Sequence, residues 1–329
     1  MLTSVCAVSD DLEPMVGVRQ VIEDCKKKLN RRTAQAGIFF TSCLDFDYRP
    51  MLDAIHEAFP GIELIGCTTD GEITPERGFT EDSSALLLIS SDEIAFSAAV
   101  AENISRDAIN SVEKAYTEAR QKLASDPAAA LVLPDGLTTM GGSIDAVLNS
   151  VMGETMPIFG GSAGDGFRIE QTFQFCGGQV YSDAMPVLLL EGDLAIAVDI
   201  ATGPVPFGDY YCVGRAEGNI IYTIDGVTAL EFYERFYGTY IEARELSFFP
   251  LAVYSGDSQD FVLRDSLEVR REDGSVSFVG RIEMPCRVRL TQVTREETLR
   301  SAHQGTERIL SAFEQNSPDI VLLFSCTMY

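Results

Sequence analysis

Residues 37–72 read GIFFTSCLDFDYRPMLDAIHEAFPGIELIGCTTDGE, and residues 131–166 read LVLPDGLTTMGGSIDAVLNSVMGETMPIFGGSAGDG. Each stretch runs through an apolar strand, a polar loop, an amphipathic helix, a short apolar strand and a Gly-rich polar turn. Ile38 to Gly66 spans the same 28 positions as Val132 to Gly160. The spacing predicts two copies of a strand–helix–strand unit in a pseudo-symmetric domain. The turns GCTTDGE and GGSAGDG fall where strands of such a domain end, and small ligands are usually held there.

Outward from this repeat, the pattern predicts helices over 14–30, 48–59, 108–123, 144–152 and 295–313. SALLLIS and IAFSAAVAE read as a hairpin joined around Ser91-Asp92, and FQFCGGQVYSD as a hairpin turning at Gly177-Gly178. From MPVLLLEGDLAIAVDI onward the chain is strand-rich. It also contains an aromatic helix after the Asp225-Gly226 turn, and DIVLLFSC reads as a final buried strand. The fold class expected is α/β (or α+β), with mixed sheets and internally repeated strand–helix–strand units. Two closely packed subdomains are expected, 1–183 and 184–329. The closing IVLLFSCTMY resembles GIFFTSCLDF, down to the pairs Ser42-Cys43 and Ser325-Cys326, and reads as the start of a third repeat cut short.

The net charge of −25, from 50 acidic and 25 basic residues, argues against a nucleic-acid partner. Lys26, Lys27, Lys28, Arg31 and Arg32 read as a solvated helix end. No window of about 20 apolar residues suggests a membrane span, and no signal peptide opens the chain, so a soluble, cytoplasmic protein is expected. The eight cysteines include no CxxC pair and read as reduced and mostly buried. No GxSxG, GxxxxGK[ST] or HExxH motif is present, so no enzyme activity is expected. A Cys–His dyad through Cys43 or Cys67 is the enzymatic alternative.

The turns offer the chemistry for a zwitterion. Thr68, Thr69, Asp70 and Glu72 lie in the first, and Gly161, Ser162, Asp165 and Arg168 in or just beyond the second. Backbone N–H groups near Gly161-Ser162 and the Arg168 guanidinium suit a carboxylate, while Asp165, Asp70 or Glu72 suit an ammonium. The same residues also read as caps of their own loops. Thr41, Ser42, Asp45, Asp135, Thr138 and Thr139 form a second tier at strand-to-helix junctions, where capping competes with binding.

In their order and spacing, the turns 66–73 and 159–166, the stretch GNIIYTIDG (218–226) followed by Ala229-Leu230-Glu231, and the final LLFSC together resemble the FIST family of sensory domains. The resemblance implies a mostly bacterial, cytoplasmic signal-input module with N-terminal and C-terminal parts. It further implies a small ligand such as an amino acid, and a downstream kinase, cyclase or chemotaxis partner. A homodimer is compatible with it. The family's closing strand and its GFYTYGEI-like turn are missing from this sequence. Two alternatives stay open: a haem-binding nitric-oxide sensor, with His56 or His303 as ligand, and a protein-interaction scaffold.

Overall fold

The computed structural model describes residues 2–140, 142, 144–166, 168–238, 243–246, 248–313 and 317–326. The chain forms two compact units. One comprises Met1–Thr139, Ile144–Ile196 and Ser317–Ser325, and the other Met140–Ser143, Ala197–Asn316 and Cys326–Tyr329.

The first unit contains the repeat, and the repeat is larger than the two stretches that announce it. The first copy runs β1 (Leu2–Ser9), α1 (Pro14–Leu29), β2 (Ala36–Thr41), α2 (Arg49–Ala58), β3 (Glu63–Thr68), the small hairpin β4 (Glu72–Thr74) and β5 (Gly78–Thr80), and β6 (Ser84–Ser91). The second runs β7 (Ala95–Glu102), α3 (Ile104–Gln121), β8 (Ala129–Val132), the single turn α4 (Gly136–Thr139), α5 (Ile144–Met152), β9 (Ile158–Gly160), the hairpin β10 (Gln174–Cys176) and β11 (Gln179–Tyr181), and β12 (Ala184–Glu191). The strand orders correspond: β1-β6-β2-β3 in one sheet and β7-β12-β8-β9 in the other. In each, the strands flanking the crossover helix are parallel, β2 with β3 and β8 with β9. In each, the last strand of the copy inserts antiparallel between the first strand and the parallel pair.

Burial alternates along these strands and defines four layers. Phe39, Leu64, Leu86 and Leu88 face α1 and α2 on one outer side. Ala99, Val132, Val187 and Leu189 face α3 and α5 on the other. Ile38, Ile65 and Ile89 of the first sheet meet Ala98, Leu131 and Leu188 of the second in a shared inner core. Strands apolar on both faces produce the unbroken runs GIFF, SALLLIS and PVLLL.

Three sequence expectations change. SALLLIS and IAFSAAVAE are not a hairpin. β6 is already paired on both edges, by β1 and β2, so the chain crosses at Ser91–Ile94 to begin the second sheet as β7. LAIAVDI is not a strand. Both partners of β12 run out by Glu191, and residues 193–204 carry no regular structure, with Val198 and Ile200 exposed. DIVLLFSC is extended but joins no strand ladder among the described residues. Ile320, Leu322 and Phe324 pack on the inner core, whereas Val321 and Leu323 are exposed. The continuation of the anticipated third repeat at 327–329 lies outside the described residues. The helices over 14–30 and 144–152, the Gly177-Gly178 hairpin, and the strand, turn and helix around Asp225-Gly226 form as expected.

Phe324 closes the inner core at its rim. Its ring meets Phe40 edge-on, with centroids 6.4 Å apart, and lies against Gly161. Phe324→Ala is expected to lower the midpoint of chemical unfolding by an amount equivalent to about 1–3 kcal/mol, since the contact is only partly buried. Truncation of the exposed neighbour, Leu323→Ala, should stay within about 0.5 kcal/mol.

The second unit is built on one eight-stranded sheet. In chain order its elements are β13 (Val205–Glu217), β14 (Ile220–Ile224), β15 (Val227–Thr228), α6 (Ala229–Tyr237), α7 (Ala243–Leu246), β16 (Leu251–Ser255), β17 (Val262–Arg264), β18 (Ser266–Arg270), β19 (Ser275–Phe278), β20 (Cys286–Gln292) and α8 (Arg295–Ser311). The sheet order is β17-β16-β20-β13-β14-β19-β18, with β15 on β14. One face of the sheet buries Val253, Val276, Val288 and Leu290 with Phe232 and Tyr233 of α6. Thr228 and Thr294 start the two longer helices, their hydroxyls accepting from the N–H groups of Glu231 and Glu297.

Candidate functional site

The two turns of the repeat meet. The carbonyl of Thr68 accepts from Gly164 N–H at 2.9 Å, and Asp70 Oδ1 accepts from Gly166 N–H at 2.7 Å. The Asp70 carboxylate lies so close over Gly164 that a Cβ there would fall 2.5 Å from its oxygen, which explains a glycine at this position. Asp70 of the first copy is thereby held by the second copy's turn. The side chain of Thr68 is buried and accepts from Phe173 N–H at 3.1 Å.

Glu72 turns inward from the first turn and is 4% exposed. Three hydroxyls converge on it. Ser42 donates to Oε2 at 2.8 Å, Ser83 donates to the same oxygen, and Thr69 donates to Oε1. The cage is tied further by Ser83 N–H donating to Ser42 Oγ at 3.0 Å and by Thr80 Oγ1, 2.8 Å from Ser83 Oγ. Burial pushes the Glu72 carboxyl above the ordinary value of 4.5, and the hydroxyls of Ser83, Thr69 and Ser42 pull it part of the way back. Ser83 was not among the residues the sequence singled out. Its signal is a Ser-Ser pair placed directly before a buried strand.

The second turn divides differently. Asp165 is buried, and its carboxylate accepts from Ile169 N–H at 3.1 Å, Glu170 N–H at 2.7 Å and Gln171 N–H at 3.2 Å. It therefore holds residues 169–171, with Ile169 in the left-handed region at φ 56°, which a β-branched residue adopts only when held there. Arg168 is exposed and donates to Asp45 at 2.6 Å. Ser162 is exposed, and Gly161 is covered by Phe324. Asp135 accepts from Leu137 and Thr138 N–H groups as a local cap, and Thr139 donates to its carbonyl. Thr41 donates to the Ser83 carbonyl at 3.0 Å.

The turns thus bring Thr68, Thr69, Asp70, Glu72 and the backbone of 164–166 together. Asp165 and Glu72 are engaged inward, while Asp70, Ser162 and Arg168 stand at the surface or part-way to it. Two concavities lie elsewhere. One, of about 450 Å³, opens along the outer side of α3 at Asn110, Lys114 and Gln121. The other, of about 260 Å³, is lined by Phe46, Tyr48, Arg49, Phe173, Gln179 and Val180.

The residues do not fit haem. His303 is 81% exposed and beside Glu307. His56 Nε2 is buried without a hydrogen-bond partner, yet His56 does not line the nearby 260 Å³ hollow, which is itself below the roughly 300–1,000 Å³ typical of cofactor sites. Among the described residues no three His, Cys, Asp or Glu side chains are grouped to hold a metal ion. Burial pushes the thiols of Cys43 and Cys67 up, opposite to what a nucleophile requires.

The family that the chain matches consists of sensory domains that act in signal transduction. The chain belongs to the FIST family: residues 35–227 match the FIST N domain, and residues 229–328 match the FIST C domain. It is 28% identical over 222 residues to the uncharacterized protein MJ1623 of Methanocaldococcus jannaschii, a match that covers 65% of this chain and 42% of that protein. The chain thus spans under half the length of this curated relative. Solved structures with some likeness include the cyanuric acid hydrolase from A. caulinodans (TM-score 0.32, 12% identity, 59% of this chain and 72% of that one). A second cyanuric acid hydrolase structure gives a TM-score of 0.28 at 11% identity, covering 58% of this chain and 67% of that one. No described helix is long and apolar enough to cross a membrane.

Proposed function

We propose that this chain is a non-catalytic sensory module that binds a small zwitterionic metabolite, an amino acid in the simplest case, at the rim where the two turns meet. The observation that carries this reading is the seat of the Asp70 carboxylate on Gly164 and Gly166 of the other turn, close in the chain to Arg168. An exposed ion pair such as Arg168–Asp45 contributes only about 0–1 kcal/mol, so a ligand carboxylate can take over the guanidinium at little cost. Asp70, only partly buried, is the acceptor suited to the ammonium. Asp165 cannot serve that role without releasing three backbone N–H groups, which makes it a support of the loop. A ligand held by Arg168 and Asp70 bridges the two copies of the repeat. It shifts their relative stability only as far as it binds one arrangement better than the other. That shift would be read by a downstream kinase, cyclase or chemotaxis-type partner.

The test is thermal stabilisation by the twenty amino acids, followed by calorimetry of the best ligand. Asp70→Asn and Arg168→Ala are each expected to weaken that ligand tenfold or more, with Arg168→Ala leaving the unliganded midpoint nearly unchanged. Affinity unaltered in both variants would remove the turns from the site.

A further inference from the structure

The second unit carries a built feature that the reading above does not use. Strand β20 alternates from Cys286 to Leu290: Cys286, Val288 and Leu290 face the core, and Arg287 and Arg289 project from the opposite face of the sheet. Its neighbour β13 is irregular at this point. Phe207 pairs with Leu290 and Tyr211 with Val288, so Gly208, Asp209 and Tyr210 all stand opposite Arg289. Gly208 takes φ 71°, which permits the bulge. Bulges of this kind re-aim a side chain, and this one turns Tyr210 over both arginines. The guanidinium carbons of Arg287 and Arg289 lie 4.6 and 5.2 Å from the centroid of the Tyr210 ring. That ring packs edge-on against Tyr254 of β16, with centroids 5.0 Å apart.

Two guanidinium groups on one ring repel each other, and a protein with 50 acidic residues has ample means to neutralise them. It does not. Neither Arg287 nor Arg289 forms an ion pair with a described residue. Both donate to backbone carbonyls, Arg287 to Ser258 at 3.3 Å and Arg289 to Gly208 at 3.1 Å, which fixes the two groups without taking up their charge. Arg287 Nε is moreover a buried donor with no acceptor. Buried donors in folded proteins are almost always satisfied, and this N–H, beside a second guanidinium, is one that a bound oxyanion would satisfy.

We propose that the Arg287–Tyr210–Arg289 ledge is a binding site for a small oxyanion ligand, a carboxylate or a phosphate. The two guanidinium groups grip its oxygens, Arg287 Nε–H supplies one of the donors, and the Tyr210 ring covers its organic part. A polyanion is not the occupant, since the net charge of −25 repels an extended chain of phosphates, whereas a small anion samples only the local field.

The test is isothermal calorimetry of the full chain with inorganic phosphate and, separately, with citrate, at an ionic strength held constant with sodium chloride. Saturable binding of at least one probe is expected, weakened tenfold or more by Arg287→Gln and by Arg289→Gln, and less by Arg287→Lys, which keeps the charge but loses the fork. Response to phosphate alone assigns a phosphoryl ligand, and response to citrate alone assigns a carboxylate. Arg289 also steadies the bulge, so its variant requires an unchanged unfolding midpoint to count. If it does not fold, Arg287→Gln and the shift of the Arg287 Nε–H resonance during titration of the unmodified protein decide the matter. Absence of saturable binding by both probes, or affinity unchanged in Arg287→Gln with no shift of that resonance, overturns the proposal.

Discussion

Gly66→Ala is expected to destabilise the first unit by more than about 3 kcal/mol, beyond the ordinary range for one methyl group. Gly66 stands directly opposite Phe39 in the parallel pair of β2 and β3, and a Cβ there would lie 2.0 Å from the Phe39 carbonyl oxygen. Backbone cannot swing aside as a side chain does, so the strands must part and give up ladder hydrogen bonds on both sides of the contact. Phe175 presses on the same spot, with a ring carbon 3.1 Å away. Gly160 is the corresponding residue of the second copy. Its Cβ would meet the Val132 carbonyl oxygen at 1.8 Å, and its φ of 152° compounds the strain. The control is Gly178→Ala, whose nearest neighbour is a His56 ring carbon at 3.6 Å and whose cost should stay within about 0.5 kcal/mol. Urea unfolding midpoints of the three variants check the claim, and a Gly66→Ala protein as stable as Gly178→Ala would refute it.

Removing the Glu72 carboxylate is the other large effect. Glu72→Ala leaves the hydroxyls of Ser42, Thr69 and Ser83 around a cavity, and a cost of about 3 kcal/mol or more is expected. Glu72→Gln preserves the shape but turns an NH₂ group toward at least one hydroxyl, so an intermediate loss is expected. The pH dependence carries a definite sign. Burial raises the folded carboxyl above its ordinary 4.5, so the protonated form is favoured in the fold. Its contribution is fully present below about pH 4.5 and is lost as pH rises through the folded value. The stability difference between the native protein and Glu72→Gln should therefore move in favour of the native protein on acidification through that window. Chemical unfolding of both proteins at a series of pH values measures it; a difference independent of pH would mean that folding leaves the carboxyl at its ordinary value, and a loss on acidification that the cage holds the carboxylate ionised.

The four-layer core was half legible. Each β-α-β crossover announces itself because its strand, helix and Gly-rich turn recur at fixed spacing within 36 residues. Of the outer members, β1 and β7 keep the spacing, since Leu2 to Ala36 and Ala95 to Ala129 are both 34 positions, but β6 and β12 do not, since they are joined to the crossover by connections of different length. The short Ser91-Asp92 link then imitates a hairpin, and only the fact that β6 is already flanked on both edges rules it out. At the site, sequence placed Asp70 and Glu72 in one turn but gave no hint that Asp70 reaches across to the other copy while Glu72 points inward. Side-chain direction in a tight turn depends on partners such as Gly164 and Ser83, which are distant in the chain. The bonds of Asp165 were illegible for a related reason: its three donors lie four to six residues on, in a stretch without a regular pattern. The pair Arg287 and Arg289 reads in sequence as ordinary strand alternation, and the bulge that sets Tyr210 over it has no signature beyond Gly208.

The inner core also makes the two copies depend on each other. Each copy of the repeat covers the outer side of its sheet with its own two helices but has nothing of its own to cover the inner side. Ile38, Ile65 and Ile89 are shielded by residues of the other copy. A single copy on its own would present that sheet bare to water and pair with an identical neighbour. The duplicated chain thus joins two sheets that each need the other's cover, with Ser91–Ile94 as the tether between them. The halves are not fully symmetric: the hairpin after the turn stays apart as β4–β5 in one, and crosses to extend the opposite sheet as β10–β11 in the other.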